Sequence, residues 1–495
     1  MNKSLRVIFI LIFSNLCLNL FSQNIQYEIN IIDDNNDVFP GHFTRGLDND
    51  IIGLVNKASY YDTLNPYYYS TLLKINAEGD TMSFRFDKTD TVYTYDNITT
   101  IYQDDPGYLL TGNGFHKDSS YLNKFCVFTR LDQDLNLVWE KVYSFGLIYW
   151  GGYYSRLLVL KDGSFLYCFC PGYTLYTGLF KLSASGDSLA YNYYESDSAG
   201  NVWGLTYSPD SLHYWVHTEF AHYYSGPQIC SRLIIDTNLL QIGHDFFPAW
   251  LRAPFSVKMY YDGSLLVGGS TIINHPNNDD EFYISAHRLD TSFDIMYSQN
   301  FTDPDTNSRG AEIESVDYYY PGAIYVGGSH YLQGITGQDP NWFYLTRLNN
   351  TLGVEYEKYI GGDDYYWLTS VVATTDGGVF LAGTRETVGG VQLHRNGYIL
   401  KFDSTGCQTK IPDGSMVQIK EALVYPNPGN DFFMVRTAKR ECTLVLYNKL
   451  GCIVFEKKIT SIISTFNVTS LAAGYYYYSI IQNNKCIDSG TWIKL

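Results

Sequence analysis

A three-residue step recurs seven times along this chain, and its spacing constrains the fold more than any other feature. An apolar run ends in this step and passes into a turn: Lys74-Ile75-Asn76, Arg130-Leu131-Asp132, Lys181-Leu182-Ser183, Ile234-Ile235-Asp236, Arg288-Leu289-Asp290, Arg347-Leu348-Asn349 and Lys401-Phe402-Asp403. The mean spacing from Asn76 to Asp403 is 54.5 residues, and single intervals run from 51 to 59, as loops of variable length would make them. A tight turn feeding a strand precedes most of these anchors, as at Asp162-Gly163-Ser164, Asp262-Gly263-Ser264 and Asp376-Gly377-Gly378. Glycine supplies positive φ at such turns, and the residues that follow suit a pleated surface. Pro106-Gly107, Pro209-Asp210 and Pro321-Gly322 are degenerate copies.

Each unit contains four strand-like runs. In the seventh they are Trp367–Thr374, Val379–Gly383, Gly397–Phe402 and a short edge around Cys407–Lys410. Four-stranded units of this length, repeated seven times, predict an all-β chain built on a seven-bladed β-propeller over residues 23–412. A further strand at Gln26–Ile32 is expected to help close the ring. The Gly-His and Trp-Asp pairs of WD40 blades are missing, and helix-period patterning is nearly absent. A β-solenoid or a string of sandwiches is the structural alternative.

Charge narrows the partners. The 34 basic and 51 acidic residues give a formal net charge of −17, which argues against nucleic acid or an anionic membrane surface. Lys3 and Arg6 precede an apolar run from Val7 to Phe13, so residues 1–22 are expected to be a signal peptide cleaved after Ser22. No later stretch is long and apolar enough to predict a transmembrane helix. Outside the leader and the last segment, five cysteines lack regular spacing and do not form a disulfide framework.

Motifs that carry chemistry are scarce. There is no Gly-rich phosphate loop, Gly-x-Ser-x-Gly elbow or His-Glu-x-x-His helix. His213 and His217 could share one strand face, with His222 nearby, but no third zinc ligand stands at a diagnostic spacing. Asp303, Asp305 and Asn307, with Glu314 in twelfth position, mimic the ligand spacing of a calcium loop, although Ser308 stands where that loop needs glycine. Polysaccharide hydrolysis needs two placed carboxylates. Glu314 and Asp317 are the main acids on the expected inner strands, and a separation of three on a continuous strand would put them on opposite faces. No catalytic or cofactor-binding residue is assigned.

The last segment reads as a module of its own. Val424 leads into Tyr425-Pro426-Asn427-Pro428, and the prolines there punctuate the start of a new unit. Strand-like runs follow at Phe432–Val435, Thr443–Tyr447, Ile453–Lys457, Tyr475–Ile481 and Thr491–Lys494, with turns at Asn448–Gly451 and Ala473-Gly474. Short strands this closely spaced predict a small antiparallel sandwich over residues 424–495, after a linker at 413–423.

The ordered motifs of this segment, with Gly451, Leu471, Gly474 and Tyr475 following the Tyr-Pro-Asn-Pro run, resemble the type A C-terminal sorting domain of the type IX (Por) secretion system of Bacteroidetes. The resemblance implies translocation across the outer membrane by the type IX machinery and removal of the module near Ile411–Ala422. It further implies attachment to surface lipopolysaccharide or release. Asp62-Thr63-Leu64 and Asp187-Ser188-Leu189 likewise resemble O-glycosylation triplets of exported Bacteroidetes proteins. The expected protein is a secreted or surface propeller that binds a glycan or a protein without catalysis. A polysaccharide hydrolase or lyase and a structural scaffold are the alternatives.

Overall fold

The computed structural model describes residues 27–33, 36–59, 68–77, 79–85, 91–103, 105–116, 125–144, 155–170, 176–195, 201–220, 229–248, 251, 255–273, 281–302, 307–332, 340–388, 395–406, 422–425, 429–437, 442–449, 451–460, 463–482 and 485–495. Among them every regular element is a strand. The chain divides into two units, residues 1–410 and 411–495.

Among the described residues the first unit holds seven antiparallel sheets, numbered here in chain order by their first strands. These are Asn36–Arg45, Thr91–Ile101, Arg156–Val159, Asn201–Tyr207, Ser256–Met259, the interrupted pair Arg309–Gly310 and Val316–Tyr318, and Tyr365–Ala373. Each sheet packs on the next, and the seventh packs on the first, which closes a β-propeller ring. Glu28–Ile31 completes the seventh sheet, pairing with Arg395–Phe402 in the register Glu28↔Leu400 to Ile31↔Gly397. The two ends of the unit therefore share one sheet. The fourth place in that sheet belongs to this N-terminal strand, and the expected edge at Cys407–Lys410 lies outside the described residues.

The recurring step has a physical purpose at each of its three positions. Its first residue reaches back to the turn between strands one and two of its own sheet: Lys74 Nζ lies 2.9 Å from Asp50 and Lys401 Nζ 2.8 Å from Asp376, while Arg288 pairs with Asp262. In sheets 3, 5 and 7 the two sequence signals are thus halves of one ion pair, whereas Arg347 of sheet 6 pairs with Glu355 of its own outer strand. Its second residue is core, since Ile75, Leu131, Leu182, Ile235, Leu289 and Leu348 are wholly buried. Its third caps the next turn. Asp236 Oδ1 accepts from the amides of Asn238 at 2.9 Å and Leu240 at 2.7 Å, and Asp132, Asp290 and Asn349 do the same.

Three residues beyond each cap the backbone turns left-handed in all seven sheets. Glycine stands there at Gly79, Gly186 and Gly406, but Leu135, Leu239, Phe293 and Leu352 hold φ of 67°, 63°, 68° and 61°. A non-glycine residue in that region costs about 1–2 kcal/mol. Burying a leucine or phenylalanine returns about 1.5–3 kcal/mol, and all four side chains are buried. The turn also serves the ring, because the Leu239 carbonyl accepts from Asn192 Nδ2 and Tyr194 OH of the preceding sheet, both at 2.7 Å.

The second unit packs a three-stranded sheet (Ala422–Tyr425, Phe432–Thr437, Ile463–Asn467) and a four-stranded sheet (Ile453–Ile459, Cys442–Tyr447, Gly474–Gln482, Lys485–Lys494). Val424, Phe433, Val435, Leu444, Leu446, Tyr478 and Trp492 form part of its core. Asn448 and Gly451, at φ 74°, repeat the turn chemistry of the propeller sheets.

The left-handed turn reverses an ordinary ranking. Leu239→Ala is expected to destabilise the protein by about 3 kcal/mol and Leu239→Gly by about 2, because glycine recovers the backbone cost while both lose the buried side chain. Denaturant unfolding of the two variants checks this; glycine equal to or worse than alanine contradicts it.

Candidate functional site

Two sites emerge in the first unit, one on the channel between the first strands and one at an end of the sheets. Irregular first strands create both. Register shifts fall between Pro40 and Phe43, Tyr95 and Asn97, Val202 and Gly204, and Leu368 and Ser370. Bulges of this kind re-aim side chains. The strand of sheet 6 is broken between Gly310 and Val316, and Glu314 there makes an isolated parallel bridge to Ser370 of sheet 7.

That break reunites two acids which alternation on a continuous strand would separate. Lys258 Nζ of sheet 5 lies 2.9 Å from Glu314 Oε1 and 2.7 Å from Asp317 Oδ1. The expectation that they face apart fails because Glu314 precedes the strand Val316–Tyr318 and is not part of it. Asp317 Oδ2 also accepts from Arg45 Nη1 of sheet 1 at 2.7 Å and from the Ala373 amide of sheet 7 at 2.8 Å. Ser256 Oγ donates to Glu314 Oε1 at 2.8 Å, and His42 Nε2 stands 4.0 Å from Glu314 Oε2. Arg156 of sheet 3 donates to the carbonyls of Ser155 and Ile313, each at 2.8 Å. Burial alone would raise both carboxyls; the charges of Lys258 with Arg156 for Glu314, and of Arg45 with Lys258 for Asp317, hold them below the usual carboxylate range. Two carboxylates so held are anions, and neither is suited to donate a proton near neutral pH.

The second site is a cavity of about 460 Å³ lined by Phe39, Phe282, Arg309, Glu312, Tyr365 and Trp367, with Asn307 and Arg395 at its margin. Phe39, Phe282, Arg309, Tyr365, Trp367 and Arg395 sit toward the ends of their strands remote from the tight Asp-Gly turns, and Glu312 lies in the interruption of sheet 6. Trp367 Nε1 donates to Glu312 Oε2 at 2.9 Å, which fixes both groups. Arg309 rests over Phe282 at 5.7 Å and Arg395 over Phe39 at 5.4 Å. Arg395 Nε is committed to Glu386 at 3.0 Å. Glu312 is the one carboxylate among the described lining residues.

The sequence-marked residues scatter. Asn307 lines the aromatic cavity, whereas Glu314 belongs to the channel cluster. Asp303 and Asp305 lie outside the described residues, and among the described ones no group of three or more His, Cys, Asp or Glu is arranged to hold a metal ion. His217 is buried with both ring nitrogens unpartnered, His213 stands 3.9 Å from Asp210, and His222 lies outside the described residues. In the second unit Gly451 and Gly474 have positive φ, Tyr475 is exposed and Leu471 packs at the core; Tyr425 ends a strand, and Pro426, Asn427 and Pro428 lie outside the described residues. Phe39, Arg45 and Trp367 acquire their places through bulges and ring closure, which alternation in a single strand does not announce.

One buried acid gives a pH signature. Glu219 accepts from Trp203 Nε1 at 2.7 Å, and burial pushes its carboxyl up to about 7, against a weaker opposing pull from Arg309. A carboxyl raised in the folded state contributes stability that is full below its unfolded value of 4.5 and lost as pH rises through about 7. Glu219→Gln keeps an acceptor for Trp203 and removes the titration. Across this window the variant is expected to lose about 3 kcal/mol less stability than the parent. Parallel stability–pH curves for the two proteins contradict it.

Comparison with known proteins identifies the second unit. Residues 423–493 match the family described as secretion system C-terminal sorting domain. Among solved structures, the extracellular domain of a hybrid two-component system from B. thetaiotaomicron aligns at 12% identity and TM-score 0.42, over 95% of this chain and 59% of that one. This chain thus spans about three fifths of that relative's length. PorZ, described as an essential bacterial surface component of the type IX secretion system of Porphyromonas gingivalis, aligns at 12% identity and TM-score 0.31, over 92% of this chain and 75% of that one. Sqt1 of Chaetomium thermophilum aligns at 11% identity and TM-score 0.40, over 77% and 98%. No curated protein matches the chain. Among the described residues no helix is long and apolar enough to cross a membrane. Residues 423–493 are a type IX C-terminal sorting domain, and through it the chain is exported to the cell surface.

Proposed function

We propose that the first unit is a non-catalytic glycan receptor, delivered to the cell surface by the sorting domain behind it. The aromatic cavity is the observation that carries this reading. Trp367, Tyr365, Phe39 and Phe282 offer ring faces for sugar C–H surfaces, while Arg309 and Glu312 supply a donor and an acceptor for hydroxyls. Trp367 and Glu312 are already bonded to each other, so little side-chain freedom is lost when a ligand binds. A lone lining carboxylate supports binding over glycoside hydrolysis, which uses two.

The leader at residues 1–22, with its cleavage after Ser22, belongs to the same proposal, as does processing between the two units. The glycan reading is tested by retention of the protein on immobilised polysaccharides. Trp367→Ala is expected to weaken retention on the bound polysaccharide about tenfold or more, on the scale of an aromatic anchor. An unaltered affinity in Trp367→Ala, or a panel that retains nothing, contradicts the reading.

A further inference from the structure

The channel cluster carries more positive than negative charge. Arg45, Arg156 and Lys258 face Glu314 and Asp317, and burial holds His42 in its neutral form, pushed down to about 4. Asp317 is satisfied by Arg45 and Lys258, and Glu314 by Lys258. Arg156 hydrogen-bonds to backbone carbonyls alone, those of Ser155, Ile313 and Phe255, and feels the charge of Glu314 without bonding to it. Beside it the buried His42 Nδ1 has no hydrogen-bond partner. Both residues, with Lys258 and Glu314, line a channel cavity of about 790 Å³.

We propose that this channel binds a small, singly charged oxyanion at Arg156, His42 and Lys258. A carboxylate-type anion would balance the net positive charge of the cluster, offer Arg156 an acceptor beyond its backbone carbonyls and accept from His42 in its Nδ1–H tautomer. Lys258, which bridges Glu314 and Asp317, lines the same cavity and adds its positive charge to the site. None of the residues lining this cavity lines the aromatic cavity, so the site stands independently of the glycan reading.

Charge variants of opposite sign test the proposal. Calorimetric titration of the full chain with sodium formate at pH 7 in a low-chloride buffer is expected to show one saturable site. Glu314→Gln removes a negative charge beside the site and is expected to tighten formate binding about fivefold or more, whereas Arg156→Gln is expected to weaken it by a similar factor. Absence of saturable binding in the parent protein overturns the proposal, as does a Glu314→Gln variant that binds formate no more tightly. If Arg156→Gln does not fold, the Glu314→Gln result decides alone.

Discussion

Asp317 is the point on which the ring depends. Its two oxygens gather a guanidinium from sheet 1, an ammonium from sheet 5 and a backbone amide from sheet 7, while the residue itself belongs to sheet 6. The first sheet and the last three are thereby held at one side chain. Charged hydrogen bonds of this kind are the stronger class, and their geometry fixes direction as well as distance. The second tie, the pairing of Glu28–Ile31 with Arg395–Phe402, closes the same ring at its outer edge. With the sheets held inside and out, the strand ends that carry Phe39, Tyr365 and Trp367 keep a fixed relation, which a preformed binding cavity requires.

The repeat is conserved within the chain as physical roles more than as letters. Each step needs a counter-ion for a turn carboxylate, a core side chain and a turn cap, and substitutions follow those roles. Sheet 4 illustrates the tolerance, because Ile234 replaces the cation there, while Asp210 of its turn bonds to Ser208 and to the Leu212 amide instead. The left-handed residue after each cap is glycine where backbone freedom suffices, and buried leucine or phenylalanine where the side chain can repay the strain.

Periodicity made the architecture readable from sequence, since seven anchors and their turns recur at one spacing, and the strand expected at Gln26–Ile32 is found at Glu28–Ile31. The site was far less readable. The first strand of sheet 1, Asn36–Arg45, contains Pro40 and Gly41 within a bulge and shows no clean alternation. Alternation would put Glu314 and Asp317 on opposite faces, but that rule needs an unbroken strand, and Glu314 lies in the interruption between Gly310 and Val316. Residues of the aromatic cavity come from sheets 1, 5, 6 and 7, so their proximity is a property of ring closure and of no local pattern. The sorting module was readable for the opposite reason: its motifs are local, ordered and confined to a short segment.

A surface receptor and a surface hydrolase with this fold would differ in what they do to the chain they hold. The proposal of holding without cleavage rests on the ion-paired state of Glu314 and Asp317 and on Glu312 as the one carboxylate among the described residues of the aromatic cavity. The direct measurement is the release of reducing ends from a retained polysaccharide during prolonged incubation with the secreted protein. No release above the polysaccharide alone is the predicted result. Steady release in proportion to protein concentration would make the chain an enzyme and contradict the account.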